Sequence, residues 1–200
     1  MFPLSTVLFP GAQMPIHIFE PRYRELTVDC LSGDGRFGIV LIARGSEVGG
    51  GDQRMSVGTQ AVITKSAMMD DGRSLLLIRG ESRIRVVEWL ADDPYPLALV
   101  EDWEPAGDPV DQAALSSAIS TVRRTRGMIA ELGESSALSA DVVFDDDPEV
   151  ACWQLCHEAP LSIFDAQRLL AQEGTGDRLG LLRDLTEELE KDLHHMLSED

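Results

Sequence analysis

A proline–glycine turn between two short apolar segments, followed by a second proline flanked by the first charges, constrains this chain more than any other feature. Residues Phe2 to Arg24 read F-P-L-S-T-V-L-F-P-G-A-Q-M-P-I-H-I-F-E-P-R-Y-R, with no charge before Glu20. Pro10 pre-sets one dihedral and Gly11 accepts positive φ, so the chain turns there. The apolar segments Leu4 to Phe9 and Met14 to Phe19 flank the turn. Alternation puts Ile16 and Ile18 on one face of the second segment and His17 and Phe19 on the other. Pro21 suits the first turn of a helix, where its missing N–H costs nothing. A helix is expected from about Pro21 to Leu31, with Tyr23, Leu26 and Cys30 along one side. Glu20, Arg22, Arg24 and Glu25 arrive together at its start. They are either mutual ion pairs that hold this helix or the polar rim of a binding face with Phe19 and Tyr23.

The next stretch reads as strand. Arg36 to Ala43 is a near-continuous apolar run whose β-branched residues and glycines favour a buried strand. Arg44 to Met55, with Gly49-Gly50-Gly51, reads as a surface loop. Val57 to Ala67 and Ser74 to Gly80 flank Asp70-Asp71-Gly72, a good hairpin turn. Arg83 to Val86 alternates, with Ile84 and Val86 inward, and Pro96 to Trp103 alternates again. The expectation is five to seven strands and one helix over residues 1–105.

The opening stretch, as F-P-L-x-x-x-x-F-P-G-x-x-x-P-[IL]-x-I-F-E-P-R-Y-R, resembles the start of the substrate-binding (LON) domain of ATP-dependent Lon proteases, in the form of small proteins built on that domain alone. Leu75 to Val86 is similar to a second signature of that domain, L-x-x-G-x-x-R-[FI]-R-[IV]. Its Arg79, Arg83 and Arg85 are either a basic strip or an ordinary solvated strand face. The resemblance implies an α+β fold: a β-rich, PUA-like LON module with one helix, followed by a helical bundle.

The second half fits that implication. Ala106 to Val110 reads as a connector, and residues 110–200 as a helical module. Asp111 to Leu132 has apolar residues at helical spacing, with Asp111 as N-cap and Gly133 as C-cap. Gly133 to Asp147 is small, polar and acidic, and reads as a loop. Asp147-Pro148 opens a helix with Val150, Trp153 and Cys156 on one face. Ser162 caps another, to Gln172, stopped by Gly174. Asp177 is expected to cap the last, to about Leu197, with Leu182, Leu185, Leu189, Leu193 and Met196 as its core stripe. Ala159 to Leu170 and the following Arg178-Leu179 resemble the helical part that follows the β module in Lon proteases.

Charge and composition exclude several classes. The net charge of −18 repels phosphate backbones, so nucleic acid is not an expected ligand; the acidity serves either solubility or the attraction of basic peptides or partners. No apolar run approaches a membrane span. No signal-peptide pattern opens the chain, and three cysteines do not make a disulfide framework, so a cytoplasmic protein is expected. The resemblance points to a family that hydrolyses ATP through a phosphate-binding loop and cuts peptides with a Ser–Lys pair. Here the only lysines are Lys65 and Lys191, and neither follows a glycine. Neither catalytic module is expected after Asp200. Cys156 and His157 diverge by about 100° on a helix and cannot pair. Cys152 and Cys156 share a face but are too few for zinc, and read as buried apolar thiols. His17 reads as a satisfied structural histidine and His194-His195 as an exposed helix end.

No catalytic residue, metal or cofactor is therefore expected. The leading reading is a non-catalytic module that captures unfolded or extended peptide segments, or a protein partner, through Phe19, Arg22, Tyr23 and Glu25. Rigid aromatics beside charge bury area at little entropy cost. A small-molecule enzyme on this scaffold and a structural oligomerisation module are the alternatives, and homo-oligomerisation stays open.

Overall fold

The computed structural model describes residues 1–47, 51–104, 106, 110–133 and 142–199. They fall into two units, Met1–Glu104 and Pro105–Asp200.

The first unit is a half-barrel sheet of six strands with one helix: β1 (Phe2–Leu4), β2 (Gln13–Ile18), α1 (Pro21–Ser32), β3 (Arg36–Arg44), β4 (Gln53–Met68), β5 (Ser74–Trp89) and β6 (Ala98–Asp102). The strand order is β1-β3-β4-β5-β2, with β6 on the far half of β5. The two segments beside the Pro10-Gly11 turn do not pair with each other. β1 runs parallel to β3, with Phe2 opposite Ile39, and β2 runs antiparallel to β5, with Ile16 opposite Leu76. They are the two ends of the strand order.

Alternation along β2 is as expected: Ile16 and Ile18 are buried, while His17 and Phe19 are exposed. The core gathers them with Leu8, Leu26, Phe37 and Ile78. Tyr23 and Leu26 of α1 are buried and Cys30 is half-buried. β4 and β5 are each one continuous strand of 16 residues, so Arg83 to Val86 is the second half of β5 rather than a separate strand. The loop expected over Arg44 to Met55 is shorter, because Gln53 to Met55 already pair in β4; Gly49 and Gly50 lie outside the described residues.

One close approach fixes the N-terminal turn on the sheet. Gly11 sits at φ 80. Its N–H donates to the Gly80 carbonyl, and the Gly80 N–H donates to the Ala12 carbonyl, both at 2.9 Å. A Cβ on Gly80 would lie 2.4 Å from the Phe9 carbonyl oxygen, so only glycine lets the turn settle there. The Thr59 hydroxyl donates to the Leu8 carbonyl beside it.

The second unit holds α2 (Gln112–Glu131), α3 (Pro148–Glu158), α4 (Ile163–Leu170) and α5 (Thr175–Glu199). Asp111 caps α2 through the Ala113 N–H, Asp147 caps α3 through Glu149 and Val150, and Ser162 caps α4 through Asp165. Gly133, at φ 76, follows the end of α2. The connector and the loop after Gly133 fall largely outside the described residues. Three details differ from expectation. α5 starts at Thr175, so Asp177 lies in its first turn, where its negative charge suits the helix dipole. Val150 is exposed, and the buried face of α3 is Ala151, Cys152, Leu155 and Cys156 with Trp153. On α5, Leu182 and Leu193 are buried with Leu179 and Thr186, whereas Met196 is half exposed.

Candidate functional site

Apolar side chains from both ends of the strand order enclose a concavity of about 300 Å³ in the first unit. Phe2 and Leu4 line it from β1, and Met14, Pro15 and Ile16 from β2. The beginning of α1 closes it with Phe19, Glu20 and Tyr23, and Glu47 reaches it from beyond β3. The site therefore depends on long-range pairing. β1 is positioned by β3 and β2 by β5, and the turn pinned on Gly80 joins them.

Its walls are rigid. The rings of Phe2 and Tyr23 lie 4.3 Å apart, centre to centre, and Phe37 backs Phe2 at 6.2 Å. Burial pushes the Tyr23 phenol up to about 12. Arg22 lies over the face of Tyr23 at 4.5 Å, and its Nε donates to Glu20 at 3.1 Å. Arg24 donates to the Phe19 carbonyl at 3.1 Å. Phe19 itself remains 46% exposed, with the His17 ring 6.2 Å away.

The four residues expected from the sequence separate here. Phe19 and Tyr23 line the concavity together, one as an exposed lip and the other as a buried wall. Arg22 stands behind them, engaged with Glu20 and the Tyr23 face. Glu25 is exposed on α1 and is not among the lining residues. The ion-pair reading of the charged cluster holds for Glu20 with Arg22. His17, expected as a structural histidine rather than a base, sits on the exposed face of β2 and lines the concavity. Glu47, Met14 and Pro15 were not singled out from the sequence. Glu47 lies in the segment read as a plain loop, and nothing local marks it.

The arginines of β5 do not form one strip. Arg83 is buried with its guanidinium 4.4 Å from the Trp103 ring, Arg85 approaches the same ring at 4.1 Å, and Arg79 is exposed.

Most of the lining is apolar or aromatic, with Thr6, His17, Glu20 and Glu47 as its polar members. Its lining has no cysteine, serine or lysine. Among the described residues no group of three or more His, Cys, Asp or Glu is placed to hold a metal ion. No helix among them is long and apolar enough to cross a membrane.

The sequence and the fold both have relatives. Residues 1–188 match the family model of the ATP-dependent protease La (LON) substrate-binding domain. The Lon protease of Trichlorobacter lovleyi is 27% identical over 188 residues, covering 90% of this chain and 22% of that protein. The Lon protease of Desulfosudis oleivorans is 35% identical over 99 residues, covering 48% of this chain and 12% of that one. The chain thus spans about a quarter or less of the curated relatives it matches. Among solved structures, a Lon N-terminal domain protein from Xanthomonas campestris superposes with a TM-score of 0.67 at 27% identity, covering 90% of this chain and 94% of that one. The N-terminal domain of the Mycobacterium avium complex Lon protease shares the fold, with a TM-score of 0.57 at 18% identity. With the family model spanning nearly the whole sequence and the half-barrel and helices matching, the chain belongs to the LON substrate-binding domain family.

Proposed function

We propose that this protein is a non-catalytic binding module that captures extended, apolar peptide segments in the concavity between β1 and β2. This reading rests on one observation: the cavity is walled by apolar and aromatic side chains on two strands that end the sheet. Such a place suits an extended peptide, whose side chains enter pockets while its backbone lies along a strand edge. In this reading Phe19 contacts the ligand, Tyr23 is the fixed wall, Arg22 holds that wall, and Glu25 contributes at the periphery. The β-rich residues 1–105 form the capturing module, residues 110–200 form a helical one, and the protein works in the cytoplasm. Nucleic acid is not a ligand, given the charge of −18. Neither ATP hydrolysis nor peptide cleavage belongs to this reading: neither lysine follows a glycine of a phosphate-binding loop, and the concavity lining holds no Ser–Lys pair.

The test is binding of a fluorescently labelled, unfolded apolar peptide, followed by polarisation. A Kd of roughly micromolar or weaker is expected, because ordering a flexible peptide offsets much of the buried area. Phe19→Ala should weaken it severalfold while the melting temperature holds, because the side chain is already half exposed. Unchanged affinity in that variant would exclude this concavity as the site.

A further inference from the structure

This inference rests on the peptide-capture reading and concerns which peptides the concavity selects. Three ionisable side chains other than Tyr23 line it: His17, Glu20 and Glu47, with no lysine or arginine among them. The Glu20 carboxylate is paired with Arg22, and the Arg22 guanidinium also covers the outer face of Tyr23. Glu47 differs. Its carboxylate accepts the Ser5 N–H, and it has no cationic partner among the described residues. The Arg22 contact on Glu47 goes to the main-chain carbonyl, at 3.4 Å, and leaves the carboxylate unpaired. An exposed carboxylate thus stands at the rim of an apolar cavity.

We infer that Glu47 makes this site selective for extended segments that carry a lysine or arginine beside their apolar residues. Long basic side chains lay their methylenes along apolar surface and keep the charged head in water. Here the stem would lie on Phe2, Leu4 and Met14, and the head would emerge at Glu47. The same carboxylate, together with the overall negative field, disfavours acidic segments, so it sorts ligands by repulsion as well as attraction.

The experiment uses the full chain and two labelled peptides of identical apolar sequence. One carries a central lysine and the other norleucine, its uncharged counterpart. The lysine peptide should bind about three- to fivefold tighter at low salt, the scale of an exposed ion pair. That preference should vanish at roughly 0.5 M salt. Glu47→Gln keeps an oxygen for the Ser5 N–H and so preserves the loop. It should reduce the lysine peptide to the norleucine affinity and leave the norleucine peptide unchanged. Equal binding of both peptides by the unmodified protein overturns the inference, as does a lysine preference that survives Glu47→Gln or an equal loss for both peptides. In those cases peptide capture itself still stands. If neither peptide binds, or Phe19→Ala leaves both affinities unchanged, the capture reading fails and this inference with it.

Discussion

The guanidinium carbon of Arg178 lies 3.6 Å from the centre of the Trp153 ring. Arg178 is completely buried, and no carboxylate pairs with it among the described residues. Its charge is instead met by dipoles. It donates to the carbonyls of Leu169 at 3.2 Å and Gln172 at 3.3 Å, at and just beyond the end of α4. Both stand at the C-terminal end of α4, which carries partial negative charge. With the aromatic face on one side, the arrangement ties α3, α4 and α5 together through one side chain.

Arg178→Met should therefore be costly. It keeps much of the stem volume but removes the guanidinium donor from the buried Leu169 carbonyl and the half-buried Gln172 carbonyl, at about 1–3 kcal/mol in all. The melting transition of the helical unit should fall by about 4 °C or more. Thermal denaturation followed by far-UV circular dichroism measures this, and a variant as stable as the parent would show that the carbonyls find water instead.

The three thiols should differ sharply in access. Cys152 and Cys156 are buried one helical turn apart, and Cys30 is half-buried with its thiol donating to the Arg36 carbonyl. Burial pushes the Cys156 thiol up; the hydrogen bond with Cys156, then the charge of Arg178, hold Cys152 below the ordinary value. A thiol reagent should label Cys30 first, with the other two reacting only on unfolding. Fast and equal labelling of all three in the native protein would contradict this packing.

The only two tyrosines give a clean alkaline titration. Tyr23 is pushed up to about 12 by burial, and Tyr95 to about 12 by its hydrogen bond to Asp29 at 2.6 Å. An unfolded tyrosine ionises near 10, so the folded state binds more protons between these values. The stabilisation is complete below pH 10 and is lost as pH rises towards 12. The phenolate absorbance of the native protein should thus stay small at pH 10, where the denatured chain is half ionised. Tyr23→Phe should reduce the alkaline loss of stability.

Local chemistry was legible in the sequence, and long-range geometry was not. Asp111, Asp147 and Ser162 cap the helices they were expected to cap, because a cap needs only its own next three residues. Ile16 and Ile18 turned inward, since alternation is a property of one strand. Asp177 misled because Thr175, two residues earlier, begins the same helix. The burial of Arg178 and Arg83 was invisible, because their aromatic partners Trp153 and Trp103 lie 25 and 20 residues away in sequence. The concavity was hidden for a similar reason. Phe19 and Tyr23 stand near each other in sequence, but Phe2, Leu4 and Glu47 reach them only once β1 has paired with β3 and β2 with β5.

The same dependence yields the last prediction. Gly80 accepts the N-terminal turn on both its N–H and its carbonyl, and the turn sets where β2 begins. An alanine there places Cβ 2.4 Å from the Phe9 carbonyl oxygen and 3.1 Å from the Thr59 methyl. The nearest obstacle is backbone, so it cannot rotate away; the turn must lift. Gly80→Ala should cost about 2–4 kcal/mol. It should also weaken peptide capture in the molecules that remain folded, because the wall built on β2 moves with the turn. Gly127→Ala, in the middle of α2, is the control. Its Cβ would meet nothing within 4 Å, and alanine is the better helix former by about 1 kcal/mol, so stability should rise slightly with capture intact. Melting curves and peptide polarisation on both variants decide the matter. If Gly80→Ala melts like the parent and binds as well, the turn does not depend on this close approach, and the concavity is held by strand pairing alone.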